Sequence, residues 1–152
     1  MSIKAIVEIS FGSLYKYEHD KVNNVLVLDR PLNQAIPVNY GYIENTLAED
    51  KDPLDIFVIS DYPIRPLTQV KFDIIAAFKC LDSNVPDHKI VATLKDETHK
   101  SLDFYTDAIK QYLETYKKDF KVLEFVGRQE ALDILVACQN SYTVNELSGN
   151  SR

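Results

Sequence analysis

Three aspartates crowd the run Glu49-Asp50-Lys51-Asp52-Pro53-Leu54-Asp55, and the chain turns apolar immediately afterwards through Ile56-Phe57-Val58-Ile59. Carboxylates this close repel one another. One set at the edge of a buried segment is costly to keep ionised unless a cation or a dense hydrogen-bond network meets it. Clusters of oxygen donors are what hard cations such as Mg²⁺ select. A second acidic pair, Asp82 and Asp87, brackets the loop Ser83-Asn84-Val85-Pro86 just before Lys89. Each feature alone has a plain alternative. Asp-x-Asp-Pro also occurs in ordinary turns, and a loop with two aspartates can be a solvated hairpin. Lys16 and Glu18 read equally as an ion pair on a wet strand face. Asp29-Arg30-Pro31 reads as a turn with a surface charge, and Tyr116-Lys117 as a core edge plus a cation favoured at a helix C-terminus.

Other chemistries have less support. His19, His88 and His99 are scattered, and Cys80 and Cys138 lie far apart, so no zinc-ligand spacing is present. Four glycines leave no phosphate-cradling loop and no dinucleotide fingerprint. Gly12-Ser13 lacks the surroundings of a nucleophile elbow. Carboxylates, lysines, one well-placed arginine and tyrosines remain, an inventory that suits a phosphorylated substrate held through magnesium.

The elements that must position these residues read as follows. Ala5 to Ile9, Leu14 to Glu18, Val25 to Leu28, Leu54 to Ser60, Val70 to Cys80 and Lys89 to Leu94 are strands, mainly antiparallel, with Leu54 to Ser60 central because both its faces are apolar. Lys16 and Glu18 are two apart and share one face, with Tyr15 and Tyr17 on the other. From Asp103 to Lys118 the residues Tyr105, Ala108, Ile109, Tyr112, Leu113 and Tyr116 recur at helical spacing. A short strand, Val122 to Val126, and a second helical run through Ala131, Ile134, Leu135 and Cys138 follow. The polar tail, 143–152, is expected to fray. Short strands followed by helices give an α+β arrangement, a small β-barrel flanked by two main helices. At 152 residues, 45% hydrophobic and 26% charged, the chain fits one ordinary globular domain. A net charge of -6 argues against a nucleic-acid partner. Two cysteines and no long apolar stretch point to the cytoplasm and away from a membrane.

In combination, Glu8, Lys16-Tyr17-Glu18, Asp29-Arg30, Asn39-Tyr40-Gly41-Tyr42, Asp50-x-Asp52-Pro53-x-Asp55, Asp82-x4-Asp87-x-Lys89 and Tyr116-Lys117 resemble the family I soluble inorganic pyrophosphatases over residues 5–126. The most specific segment, Asp50 to Asp55 preceded by Asn45-Thr46-Leu47, is similar to that family's Asp-Gly-Asp-Pro-x-Asp signature except at Lys51. The resemblance implies a five-stranded barrel of the oligonucleotide/oligosaccharide-binding (OB) type, an active site in a cup at its edge, and a homohexamer. It implies hydrolysis of pyrophosphate to two phosphates with several Mg²⁺ ions. Asp50, Asp55 and Asp82 would hold the activating metal, and Glu8 would support the metal layer. Asp87 would hold a further metal beside the substrate and counts with Asp52 among the catalytic residues, Asp52 being the general base. Lys16, Arg30, Tyr40, Lys89, Tyr116 and Lys117 would grip the phosphoryl groups, with Glu18 among these cations in support.

The chain departs from the family pattern at Lys51, where glycine is usual, at Ile36-Pro37, where Tyr-Pro is common, and at Gly127-Arg128, where Gly-Trp is common. The Arg30 to Tyr40 segment is also shorter than in many relatives. The alternatives are a weakly active relative that binds Mg²⁺ and phosphate, a barrel that stacks single-stranded nucleic acid on its tyrosines, and a structural domain with solvated acids.

Overall fold

A computed structural model describes residues 3–99 and 101–149. Its strands are β1 (Lys4–Ile9), β2 (Tyr15–Asp20), β3 (Val25–Pro31), β4 (Asn39–Ile43), β5 (Asp55–Ile59), β6 (Gln69–Asp82), β7 (Val85–Pro86), β8 (Lys89–Leu94) and β9 (Phe120–Gly127). Helix α1 (Asp103–Glu114) precedes β9, and α2 (Arg128–Leu147) follows it. The pairings β1–β4, β4–β5, β5–β8, β8–β6 and β6–β1 return to the first strand, a circuit of five. The expected α+β barrel with two helices is therefore present. The long strand β6 carries β9 and β7 beyond the circuit. β2 and β3 pair only with each other, as a separate two-stranded arm.

Two apolar clusters cover opposite faces of the sheet. In one, Ala5, Val7, Ile56, Val58 and Ile90 meet Ala131 and Leu135 of α2. In the other, Ile9, Phe57, Phe78 and Val91 meet Ile109, Tyr112 and Leu113 of α1. Residues 56–59 of β5 are fully buried on both faces, as a central strand requires.

Three local features depart from the sequence reading. Strand β4 was not anticipated. Its Asn39 is wholly buried and forms four hydrogen bonds, accepting from Phe11 and Ile64 N–H and donating to Val58 O and Ser60 Oγ. Its Gly41 faces Ile6 so closely that an added Cβ would overlap the Ile6 carbonyl. Helix α1 ends at Glu114, short of Tyr116 and Lys117. Asn33 Nδ2 donates to Thr115 O and Gln34 Nε2 to Thr115 Oγ1, so the chain before β4 seals the helix end. The tail does not fray where expected: α2 continues to Leu147. Thr143 Oγ1 donates to Gln139 O, and Ser148 N–H to Val144 O, giving the last turns local partners. Residues 150–152 of the expected tail lie outside the described residues.

Candidate active site

One cavity of about 530 Å³ gathers the first residues of β5 and β8, Asp55 and Lys89, with the last residue of β6, Asp82. Glu8, Lys16, Glu18, Tyr40, Asp50, Asp52, Asp87, Tyr116 and Lys117 complete the sequence-derived part of its lining. Arg30 is not in that lining. Its guanidinium carbon lies 4.9 Å from the centre of the Tyr116 ring, and its NH2 is buried without a hydrogen-bond partner. Sequence reasoning gave no role to His19, Lys21, Tyr42 and Lys51, which also face the cavity.

Local structure explains each placement. A β-bulge between Val7 and Ile9 leaves Glu8 as the extra residue of β1, turned into the cup. Parallel pairing of β5 with β8 sets Asp55 opposite Lys89. The loop 45–54 is closed on itself: Thr46 Oγ1 donates to Ile43 O and accepts from Leu54 N–H, and Ala48 N–H donates to Asp52 O. Asp50 Oδ1 accepts from Asp52 N–H at 3.1 Å. Lys51 sits between them at φ 75°.

The centre of the site is Lys89, only 2% exposed. Its Nζ donates to Asp55 Oδ2 at 2.6 Å, Tyr40 Oη at 2.7 Å and Asp87 Oδ2 at 3.2 Å, which uses all three of its protons. Lys117 Nζ lies 2.7 Å from Asp82 Oδ2, and Lys16 Nζ 3.2 Å from Asp29 Oδ2. Burial opposes a charge on Lys89, but Asp55 and Asp87 outweigh it and hold the ammonium well above its usual range. Burial raises Tyr40 well above the tyrosine range, with Asp55 adding to it, so the phenol stays protonated. Because Tyr40 Oη accepts from Lys89, its own proton is free for an anion in the cup.

The arm is tied to the barrel by polar contacts. Glu8 Oε2 accepts from His19 N–H at 2.8 Å. His19 Nε2 lies 2.8 Å from Asn24 Oδ1 and Nδ1 lies 2.8 Å from Tyr42 Oη. Asn24 Oδ1 can only accept, which assigns the ring proton to Nε2 and leaves Nδ1 to accept from the Tyr42 hydroxyl.

The donor set fits a hard cation. Seven carboxylates (Glu8, Glu18, Asp50, Asp52, Asp55, Asp82 and Asp87) line the cavity, and no cysteine or sulfur donor does. Burial pushes Glu8 up to about 7, with Asp55 and Glu18 adding to the rise. Burial also pushes Asp87 up to about 6 against the pull of Lys89, with Asp55 again contributing. Asp50 is raised by burial, partly offset by the Asp52 N–H. Three acids held above their ordinary range in one cup form a site short of positive charge. Among the described residues no three His, Cys, Asp or Glu groups have already converged as a ligand set. Lys89 and Lys117 occupy carboxylates that such a set would use.

Fold and cup together define a class: an OB-type barrel with carboxylates and cations massed at one end. The chain matches the family model described as inorganic pyrophosphatase over residues 5–143. It is 36% identical over 157 residues to an inorganic pyrophosphatase of Campylobacter jejuni, covering 92% of this chain and 91% of that one. It is 40% identical over 126 residues to one of Corynebacterium glutamicum, covering 77% and 80%. The solved inorganic pyrophosphatase of Helicobacter pylori superposes with a TM-score of 0.85 at 33% identity, over 93% of this chain and 94% of that one. That of Thermus thermophilus gives 0.84 at 30%, over 93% and 92%. The chain belongs to the inorganic pyrophosphatase family.

Proposed function

We propose that this chain hydrolyses inorganic pyrophosphate to two phosphates with Mg²⁺. The observation that carries the reading is the cavity in which Lys89 joins Tyr40, Asp55 and Asp87 beside five further carboxylates. Asp50, Asp55, Asp82, Asp87 and Glu8 are the groups to hold the metal. Bound Mg²⁺ supplies charge neutralisation for the phosphoryl oxygens and makes an attacking water more acidic. Asp52 accepts that water's proton; its carboxylate lines the cup and no ion pair occupies it among the described residues. Lys16, Lys117 and the hydroxyls of Tyr40 and Tyr116 would donate to phosphoryl oxygens, and Lys89 would do so by giving up one of the three acceptors that take its protons, while Glu18 orients the cations around it. Arg30 contributes from behind Tyr116, where its buried NH2 still lacks a partner. Catalysis rests on in-line positioning and on charge stabilisation in the cup.

The same reading makes the chain one domain that self-associates as a homohexamer. Exposed Val25, Val27 and Leu28 on β3 and Val136, Val144 and Leu147 on α2 support a partner surface. Among the described residues no helix is long and apolar enough to cross a membrane. Both cysteines are free thiols, which supports a cytoplasmic location.

Phosphate release from pyrophosphate tests the activity. Release should need Mg²⁺, stop with EDTA, and fall at least about a hundredfold in Asp52→Asn with the melting temperature unchanged. Full activity in that variant sinks the base assignment. No release by the wild-type chain, with Mg²⁺ still raising its melting temperature, favours the weakly active relative instead.

A further inference from the structure

Five lysines line the cup, and three already have carboxylate partners: Lys16 with Asp29, Lys89 with Asp55 and Asp87, and Lys117 with Asp82. Lys21 and Lys51 have none among the described residues, although Asp50 and Asp52 flank Lys51 in the chain. Lys21 instead holds its Nζ 4.8 Å from the centre of the Tyr42 ring. Lys51 occupies the left-handed region at φ 75°, a conformation disfavoured for any residue with a side chain.

Both lysines, with Tyr42 and Pro53, also line an adjoining chamber of about 590 Å³. The two unmatched ammoniums thus stand on the wall common to cup and chamber. A lysine already paired with a carboxylate must release it to hold an anion, and an unpaired one need not. The readiest positive charge of the cup therefore lies at this shared wall rather than at its centre. The rest of the chamber lining includes Glu44 and Glu146, which oppose a further anion there.

We propose that Lys21 and Lys51 form an anion subsite at this shared wall, taking one phosphoryl group beyond the two of pyrophosphate. This rests on the proposed pyrophosphate hydrolysis. The group has two sources with the same chemistry, the terminal phosphoryl of a linear triphosphate or a departing orthophosphate.

The test measures inhibition of pyrophosphate hydrolysis by triphosphate and by orthophosphate at saturating Mg²⁺ in Lys21→Gln, Lys51→Gln, the double variant and Lys51→Arg. Each single loss of charge should raise at least one inhibition constant about threefold, and the double loss about tenfold. KM for pyrophosphate should move less than about twofold, and Lys51→Arg should restore the wild-type constants. An effect on triphosphate alone assigns the subsite to an extended substrate; an effect on orthophosphate alone assigns it to product exit. Unchanged constants in the double variant overturn the subsite, as does a rise in KM for pyrophosphate by the same factor. A wild-type chain that releases no phosphate defeats the hydrolysis reading alone. The subsite is then decided by whether triphosphate raises the melting temperature of the wild type more than that of the double variant.

Discussion

The barrel and the β2–β3 arm bring charge to the same cup by opposite means. On the barrel, Asp55 and Lys89 open paired strands whose next residues, Ile56 and Ile90, are wholly buried, and Asp87 sits two residues before Lys89, so the core fixes them. The arm leaves Tyr15, Val25, Val27 and Leu28 exposed, and its Lys16, Glu18 and Lys21 depend on a few polar contacts to reach the site. Groups set by a core should tie stability and activity together, whereas groups set by hydrogen bonds can lose their aim while the fold survives.

The largest effect should come from breaking the barrel's own pair. Lys89→Met leaves Asp55 and Asp87 without their shared cation and should cost about 3–5 kcal/mol in metal-free denaturation. A loss below about 1 kcal/mol would show that the core does not depend on the pair.

Next comes pH. Folded-state values of about 7 for Glu8 and about 6 for Asp87 lie above their unfolded ones, so between about 4 and about 7 the folded chain binds more protons than the unfolded. The stability these groups contribute is complete at the acid end of that window and is lost as pH rises through the folded values. Melting temperature in EDTA should fall from pH 5 to pH 8, and Mg²⁺ should restore it most at pH 8. A flat EDTA profile would contradict both shifts.

For the arm, Tyr42→Phe on β4 removes the barrel hydroxyl that holds His19 and should weaken pyrophosphate binding by about 1 kcal/mol, roughly fivefold in KM. Its metal-free melting temperature should barely move. An equal fall in stability would erase the contrast between the regions. The smallest change is expected for Asp29→Asn, whose partner pair is partly exposed, at less than about 1 kcal/mol by chemical denaturation.

Legibility in the sequence follows the same division. Asp55 was readable because a carboxylate stands directly before a run of fully apolar residues, and the period of that run names a central strand. Spacing put Lys16 and Glu18 on one strand face, the family resemblance turned that face toward the site, and both do line the cup. Strand β4 was not readable, because Asn39 and Gly41 are poor strand formers taken locally. One is buried through bonds to Phe11, Val58, Ser60 and Ile64, and the other is required by the approach of β1. The end of α1 was hidden for a related reason, since the groups that seal it lie at Asn33 and Gln34. Arg30 follows a bulge that leaves Asp29 unopposed in β3, a register change that no periodicity announces. His19 carried no signal beyond its place next to Glu18, for its role depends on Tyr42 and Asn24.

The five-strand circuit has a consequence for the order of events as the chain folds. The ring closes only when Lys4 of β1 meets Lys71 of β6, and the cup needs groups from Glu8 to Lys117. Pairings so distant along the chain form slowly, because loop entropy must be spent before any contact rewards it. During synthesis the β2–β3 arm can pair as soon as it emerges, but no cup exists until Lys117 has left the ribosome. The complete cup is therefore a late product of folding, assembled on a barrel whose ring has already closed.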